Sequence, residues 1–380
     1  MRAGRFLAAL TVAVCPLAVR AAPETADKPK PVDVVLCLDT SNSMDGLIDS
    51  AKRKLWAVVN DLAKMEPAPA LRVGLYSYGN NTYDRARGWV RKEVDLTTDL
   101  DEVYKRINGL RCAAPGSDEY VARVTRDALA GLKWAGGKDA LRLLFVCGNE
   151  PVDQDKEVSL GSVAERAKVQ GVVINTIYCG PANHPEAAGW SAFAGRCGGK
   201  YANIDQDRGR TEITIRTPFD AEIEKLGAKI NETYLWYGAN GAAGRENQLA
   251  QDKNAAGAAG GVAAERGVTK ASRVYRNAEA DLIDRMQSEK DFDVKKIKEA
   301  DLPDELKKLK PEEREAYLKR KADERAAIQK KIADLGARRA KYIEDEKNKQ
   351  PKPVAEKALD EALRAIIRDQ AATKGMKAKE

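Results

Sequence analysis

The stretch of this sequence best equipped for chemistry is Asp39-Thr40-Ser41-Asn42-Ser43-Met44. A carboxylate and two hydroxyls alternate there, so one turn can aim three oxygens at a single point. Hard oxygen donors without His or Cys suit Mg²⁺, Mn²⁺ or Ca²⁺ rather than zinc or copper. A helix starting just after them would add backbone N–H groups and a partial positive charge. The same side chains are also good helix caps, which is the competing structural reading. Other chemistry is thinly represented. His184 is the single histidine, so multi-histidine zinc sites are excluded and any Ser/His or Cys/His pair depends on it. It lies in Pro181-Ala182-Asn183-His184-Pro185, a turn-like segment that reads as a surface loop. The sequence has no Cys-x-x-Cys, no Gly-x-x-x-x-Gly-Lys-Ser/Thr and no strand-linked Gly-x-Gly-x-x-Gly. Zinc-ribbon, thioredoxin-like and nucleotide-binding readings are disfavoured accordingly.

The elements that must position Asp39 are easily read. The apolar run Val34-Val35-Leu36-Cys37-Leu38 fits a strand buried on both faces of a parallel sheet. Met44, Leu47, Ile48, Ala51, Leu55, Val58, Val59 and Leu62 recur at helical spacing. Leu71, Val73 and Leu75 alternate as a strand, and Val121, Val124, Ala128 and Leu132 mark a helix. Two further core strands are read over 141–147 and 172–177. A helix near Val163–Ala167 separates them, and a short last strand follows at 201–204. Strands alternating with helices predict an α/β fold, with a doubly wound, mostly parallel sheet flanked by helices, over residues 32–206. In such sheets ligands bind outside the carboxyl ends of the strands, where Asp39 falls.

With its three loops taken together, this region resembles the von Willebrand factor type A domain. That family's metal-ion-dependent adhesion site has the signature Asp-x-Ser-x-Ser after the first strand. The resemblance implies that Ser41 and Ser43 bind the metal directly and that Asp39 holds water around it. The family's second loop supplies a threonine within a Gly-rich turn. The matching segment is Pro115-Gly116-Ser117-Asp118, which makes Ser117 a hydroxyl donor and Asp118 an alternative ligand. The third loop usually gives an aspartate. Here Asn149 follows Gly148, so one negative charge is missing. The implied cofactor is a divalent cation, with Mg²⁺ first and Mn²⁺ or Ca²⁺ as alternatives. The implied partner is a protein whose carboxylate completes the metal's coordination. Phosphatases of the haloacid dehalogenase type are similar at Asp39, but they need a second carboxylate where Ser41 stands.

Composition and targeting narrow the setting. Met1-Arg2-Ala3-Gly4-Arg5, the apolar run from Phe6 to Val19, and small residues at Ala21 and Ala22 form the pattern of a secretory signal peptide over 1–21. A Pro-rich linker over 22–31 follows. The expectation is export to a periplasmic or extracellular space, with no membrane span because no later run reaches ~18 apolar residues. The net charge of +7 falls to +4 once Arg2, Arg5 and Arg20 leave with the leader, and aromatics make up 6%. Both argue against nucleic acid as a partner. Cys37, Cys112, Cys147, Cys179 and Cys197 remain after cleavage. A Cys179–Cys197 disulfide and a pair of free thiols are both open readings.

Charged residues make up 32% of the chain, against a usual ~25%. The excess gathers in an α-helical C-terminal region, taken as 217–380. Thr217-Pro218-Phe219-Asp220 reads as a helix start. The Gly/Ala-rich segment 238–267 reads as a linker or a helical hairpin. Between Leu302 and Lys349, Leu318, Ile328, Ile332, Leu335 and Tyr342 fall at heptad-like positions, but Lys321, Arg325 and Arg339 interrupt the seam. That favours a charged helical hairpin over a coiled coil, although these helices could still form a homo-oligomer. The expected function is non-enzymatic, cation-dependent protein binding. The alternatives are an envelope scaffold acting through its C-terminal helices, with a vestigial metal site, and, further off, a metal-dependent hydrolase.

Overall fold

A computed structural model describes residues 29–204, 215–258, 260–349 and 358–378. The signal peptide, most of the linker over 22–31 and the end of the region 32–206 lie outside the described residues.

The first strand, β1 (Lys30–Asp39), leads into helix α1 (Asp45–Ala63), a short β2 (Met65–Glu66) and β3 (Pro69–Tyr78). Next come β4 (Arg91–Thr97), α2 (Leu100–Gly109), α3 (Val121–Gly131) and β5 (Leu141–Gly148). The alternation closes with α4 (Leu160–Gln170), β6 (Val173–Cys179), α5 (Ala187–Arg196) and β7 (Tyr201–Ile204). The sheet order is β4-β3-β1-β5-β6-β7, and β4 alone runs antiparallel. β1 therefore lies between two parallel neighbours, β3 and β5. This central position is why its sequence is continuously apolar. Val32, Val34, Leu36 and Leu38 enter one core, and Val35 and Cys37 enter the core on the opposite face.

The polar β4 (Arg-Lys-Glu-Val-Asp-Leu-Thr) was not read as a strand. It is an edge strand, and edge strands carry charges where central ones cannot.

Among the described residues, six α-helices lie between β7 and the last helix. They are α6 (Asp220–Lys229), α7 (Gly238–Gly257), α8 (Val262–Lys270), α9 (Leu282–Ser288), α10 (Asp304–Lys307) and α11 (Pro311–Lys349). The Gly/Ala-rich segment thus forms helices α7 and α8. The expected hairpin between Leu302 and Lys349 is instead dominated by one continuous helix, α11. Its basic seam residues are the reason the stripe works. Arg325 is buried against Asp281, Asp284 and Thr233, and Arg339 against Asp220 and Glu265. Leu318, Ile328 and Ile332 pack inside the chain beside them.

The last helix, α12 (Leu359–Ala372), behaves differently from the charged region with which the sequence grouped it. Leu359, Leu363, Ile366 and Ile367 join the core that contains α1 and the β1 side chains. The Gln370 and Asn175 amides exchange hydrogen bonds of 2.7 and 3.0 Å, tying α12 to β6. A final β8 (Lys377–Ala378) pairs antiparallel with β2. The helical region from α6 to α11 is therefore an insertion between two parts of one α/β core.

The suggested Cys179–Cys197 disulfide is not formed, and all five described cysteines are free thiols. Cys179 packs in the core on one face of the sheet and Cys197 in the core on the other, so the sheet separates them. Among the described residues, no helix is long and apolar enough to cross a membrane.

Candidate metal centre

β1 delivers Asp39 to the carboxyl edge of the sheet, where the side chain is fully buried. Asp39 Oδ1 accepts the Ser41 backbone N–H at 2.8 Å, which curls the chain toward α1. Thr40 anchors the turn. Its N–H and hydroxyl both donate to the Tyr78 carbonyl, at 2.9 and 3.0 Å. The Tyr78 hydroxyl donates to the Cys147 carbonyl at 2.9 Å, bracing the ends of β3 and β5 beneath the site. The helix-cap reading of the motif does not hold. Met44 is the residue at the cap position, and no side chain caps α1. The Met44 N–H instead bonds the Ser41 carbonyl at 3.1 Å.

The two serine hydroxyls lie 3.5 Å apart. Asn149, just past β5, places its amide on Ser43 Oγ, with Nδ2 at 3.1 Å and Oδ1 at 3.4 Å. The structure thus brings Asp39, Ser41, Ser43 and Asn149 together across the ends of two neighbouring strands. Two glycines make the approach possible. A Cβ on Gly148 would lie 2.5 Å from the Tyr78 hydroxyl and 3.1 Å from Asp39 Oδ2. A Cβ on Gly79, whose φ is +67°, would lie 2.8 Å from Asp39 Oδ1.

In the second loop, Ser117 and Asp118 are both hydrogen-bonded within the loops. Ser117 Oγ donates to the Gly79 carbonyl at 2.8 Å, and the exposed Asp118 carboxylate accepts the Tyr120 hydroxyl at 2.9 Å. The next residue, Glu119, faces the site, and sequence reasoning passed over it. Its N–H donates to Gln154 Oε1 at 2.9 Å, linking the second loop to the third. Arg123 fastens the same pair of loops by a bidentate bond to Asp155, both arms 2.9 Å, and a further bond to Glu157 at 2.8 Å. The one sequence signal for Glu119 was its position beside Asp118, in a site already short of a charge at Asn149.

The electrostatics of the pocket are those of crowded carboxylates. Burial pushes the Asp39 carboxyl well above the usual aspartate range; the Ser41 N–H opposes this, and Glu119 and Glu150 add to it. Partial burial, with Glu150 nearby, raises Glu119 to about 7. His184 is an exposed loop residue whose Nδ1 meets the Tyr178 hydroxyl at 2.8 Å.

This site geometry lies on a recognisable domain. Residues 33–193 match the von Willebrand factor type A domain. No curated protein matches the chain. Among solved structures, the type A domain of SpRpn10 is 16% identical, covering 45% of this chain and 87% of that one at a TM-score of 0.35. Proximal thread matrix protein 1 from the mussel byssus is 12% identical in one crystal form, covering 48% of this chain and 43% of its own at a TM-score of 0.36. Another structure of the mussel protein has a zinc-occupied MIDAS motif, with 12% identity, 47% and 43% coverage and a TM-score of 0.37. The chain thus spans less than half of the mussel protein's length.

Type A domains bind divalent cations at their adhesion site, and the donors present here fit such an ion. Asp39 Oδ2 is buried and has no hydrogen-bond partner. An unpaired, buried carboxylate oxygen beside two hydroxyls and an amide is a costly arrangement for a protein alone, and a cation relieves it. Among the described residues, no three His, Cys, Asp or Glu side chains converge as a metal site. The oxygens gathered at the end of β1 include the Ser41 and Ser43 hydroxyls and the Asn149 amide. In this chain, Ser41 and Ser43 would hold such an ion, and Asp39 and Asn149 would orient its water. The ion would supply a positive charge able to bind an anionic oxygen.

Proposed function

We propose that this chain is a non-enzymatic protein-binding module of an exported protein, working through a divalent cation, Mg²⁺ foremost. A carboxylate from the partner completes the coordination of the ion. The observation that carries the reading is the buried, unpaired Asp39 Oδ2 in the turn that also holds the Ser41 and Ser43 hydroxyls 3.5 Å apart. Ser43 and Asn149 lie on the open side of this group, Ser43 exposed and Asn149 half-buried, so a partner's side chain can reach the ion. Type A domains often mediate protein–protein interaction, which agrees with a site built for coordination.

Calorimetric titration of Mg²⁺, Mn²⁺ and Ca²⁺ into the full chain tests the proposal, beside a Ser41→Ala/Ser43→Ala control. Saturable binding that the control loses supports it. Absence of binding to the unaltered chain overturns it. Export is tested separately by cell fractionation with and without residues 1–21. Unchanged location without the leader sinks that part alone.

A further inference from the structure

We infer that Glu119 is the second anionic donor of the cation site and supplies the charge that Asn149 lacks; this rests on the cation-dependent reading above. Gly79 provides the geometry. A Cβ at this position would lie 2.8 Å from Asp39 Oδ1 and also 2.8 Å from Glu119 Cγ. The stem of the glutamate and the buried aspartate therefore flank the same glycine. Asp39 Oδ2 has no hydrogen-bond partner although Asp39 is fully buried, which independently marks this spot as awaiting a positive group. No Lys or Arg pairs with Asp39, Glu119 or Glu150 among the described residues. Carboxylates gathered in a poorly solvated pocket repel one another until a cation joins them.

The loop is constructed to hold Glu119 in place. Its N–H is bonded to Gln154, and α3 begins two residues later with Arg123 clamped to Asp155. Ser117, which the family pattern would make a ligand, bonds the Gly79 carbonyl. Its hydroxyl thereby steadies the turn that brings Glu119 to Asp39, so Ser117 is a positioning residue. The usual family pattern has two aspartates, one in the first loop and one in the third. Asp39 with Glu119 restores that count of carboxylates from the second loop.

Calorimetric titration of Mg²⁺ and Mn²⁺ into the full chain tests the inference with Glu119→Gln, Asn149→Asp and the double variant. Glu119→Gln is expected to weaken binding about tenfold or more, as loss of a partly buried ligand charge should. Its melting temperature without metal should stay level or rise, because a repelled charge is gone. Adding Asn149→Asp should recover the lost affinity by returning a carboxylate to the third loop. Unchanged affinity in Glu119→Gln, with binding abolished in Ser41→Ala, overturns the role of Glu119 and leaves the cation site standing. A combined fall in affinity and metal-free melting temperature that Asn149→Asp does not repair also overturns it, since Glu119 would then be structural. Absence of binding in the unaltered chain removes both readings.

Discussion

Ser41 separates a binding site from a structural turn. Its backbone N–H holds Asp39 and its carbonyl holds Met44, while its hydroxyl faces Ser43. Ser41→Ala keeps both backbone bonds and leaves α1 without a lost cap. We expect its metal-free melting temperature to match that of the unaltered chain, with the stabilisation by Mg²⁺ abolished; differential scanning calorimetry with and without Mg²⁺ checks this. Asn149→Asp makes the opposite trade. It adds a charge beside Asp39, Glu119 and Glu150, so the metal-free protein should melt lower and bind cations more tightly, both read in the same titrations. The first loop was legible because Asp-x-Ser-x-Ser places three donors within five residues of one strand end. Asn149 was legible from the core strand that precedes it. Glu119 was not, because its role depends on what Gly79 lacks, and only the folded backbone brings positions 39, 79 and 119 together.

At the scale of elements, the strands easiest to read were those buried on both faces, since burial forces a run of apolar residues. β4 escaped notice because a charged edge strand looks like a loop. α12 was grouped with the charged helical region over 217–380, since its apolar residues have no sequence neighbour to pack against. The buried arginines were read as flaws in a heptad seam, and folding makes them its fasteners. Arg325 and its partner Asp281 are almost wholly inaccessible, at 1% and 0% side-chain exposure. Arg325→Ala would strand Asp281 and Asp284 without a counter-charge, at a cost of about 3–5 kcal/mol in urea unfolding. Lys319→Ala, on the exposed side of the same helix, should change stability by less than about 0.5 kcal/mol. The clamp between the loops has a pH signature. Burial raises Asp155, but the Arg123 guanidinium and the N–H groups of Glu157 and Val158 more than offset this and hold it below the usual aspartate range. Its stabilising contribution is therefore complete above the unfolded aspartate value of about 4 and fades as the pH falls through the lower folded value. Asp155→Asn should flatten that acid limb of the melting curve, while lowering stability at neutral pH.

On the scale of the whole molecule, the helical region and the α/β core are fastened by buried polar contacts. Arg266 on α8 reaches Asp101 on α2, and Thr269 on the same helix bonds Asn60 on α1 at 2.7 Å. The apolar residues of α11 face inward, so the stripe that might have joined two copies is used within one. The sharpest test of this arrangement is at α12. Ile367 is 1% exposed in the core shared with α1. Ile367→Ala should destabilise the protein by about 2–5 kcal/mol, measured by urea unfolding. A change near zero would mean that the C-terminal helix is not part of the core.

The late position of α12 in the sequence also sets an order of events. A chain is synthesised from its N-terminus, and β1 is made more than three hundred residues before the helix that covers one side of it. Without residues 359–376 the sheet has an open apolar flank on the side that α12 covers. Completion of this domain therefore needs a segment more than three hundred residues away from β1 in the chain. Truncated or stalled products would carry that uncovered flank, and with it a tendency to aggregate that the finished molecule lacks.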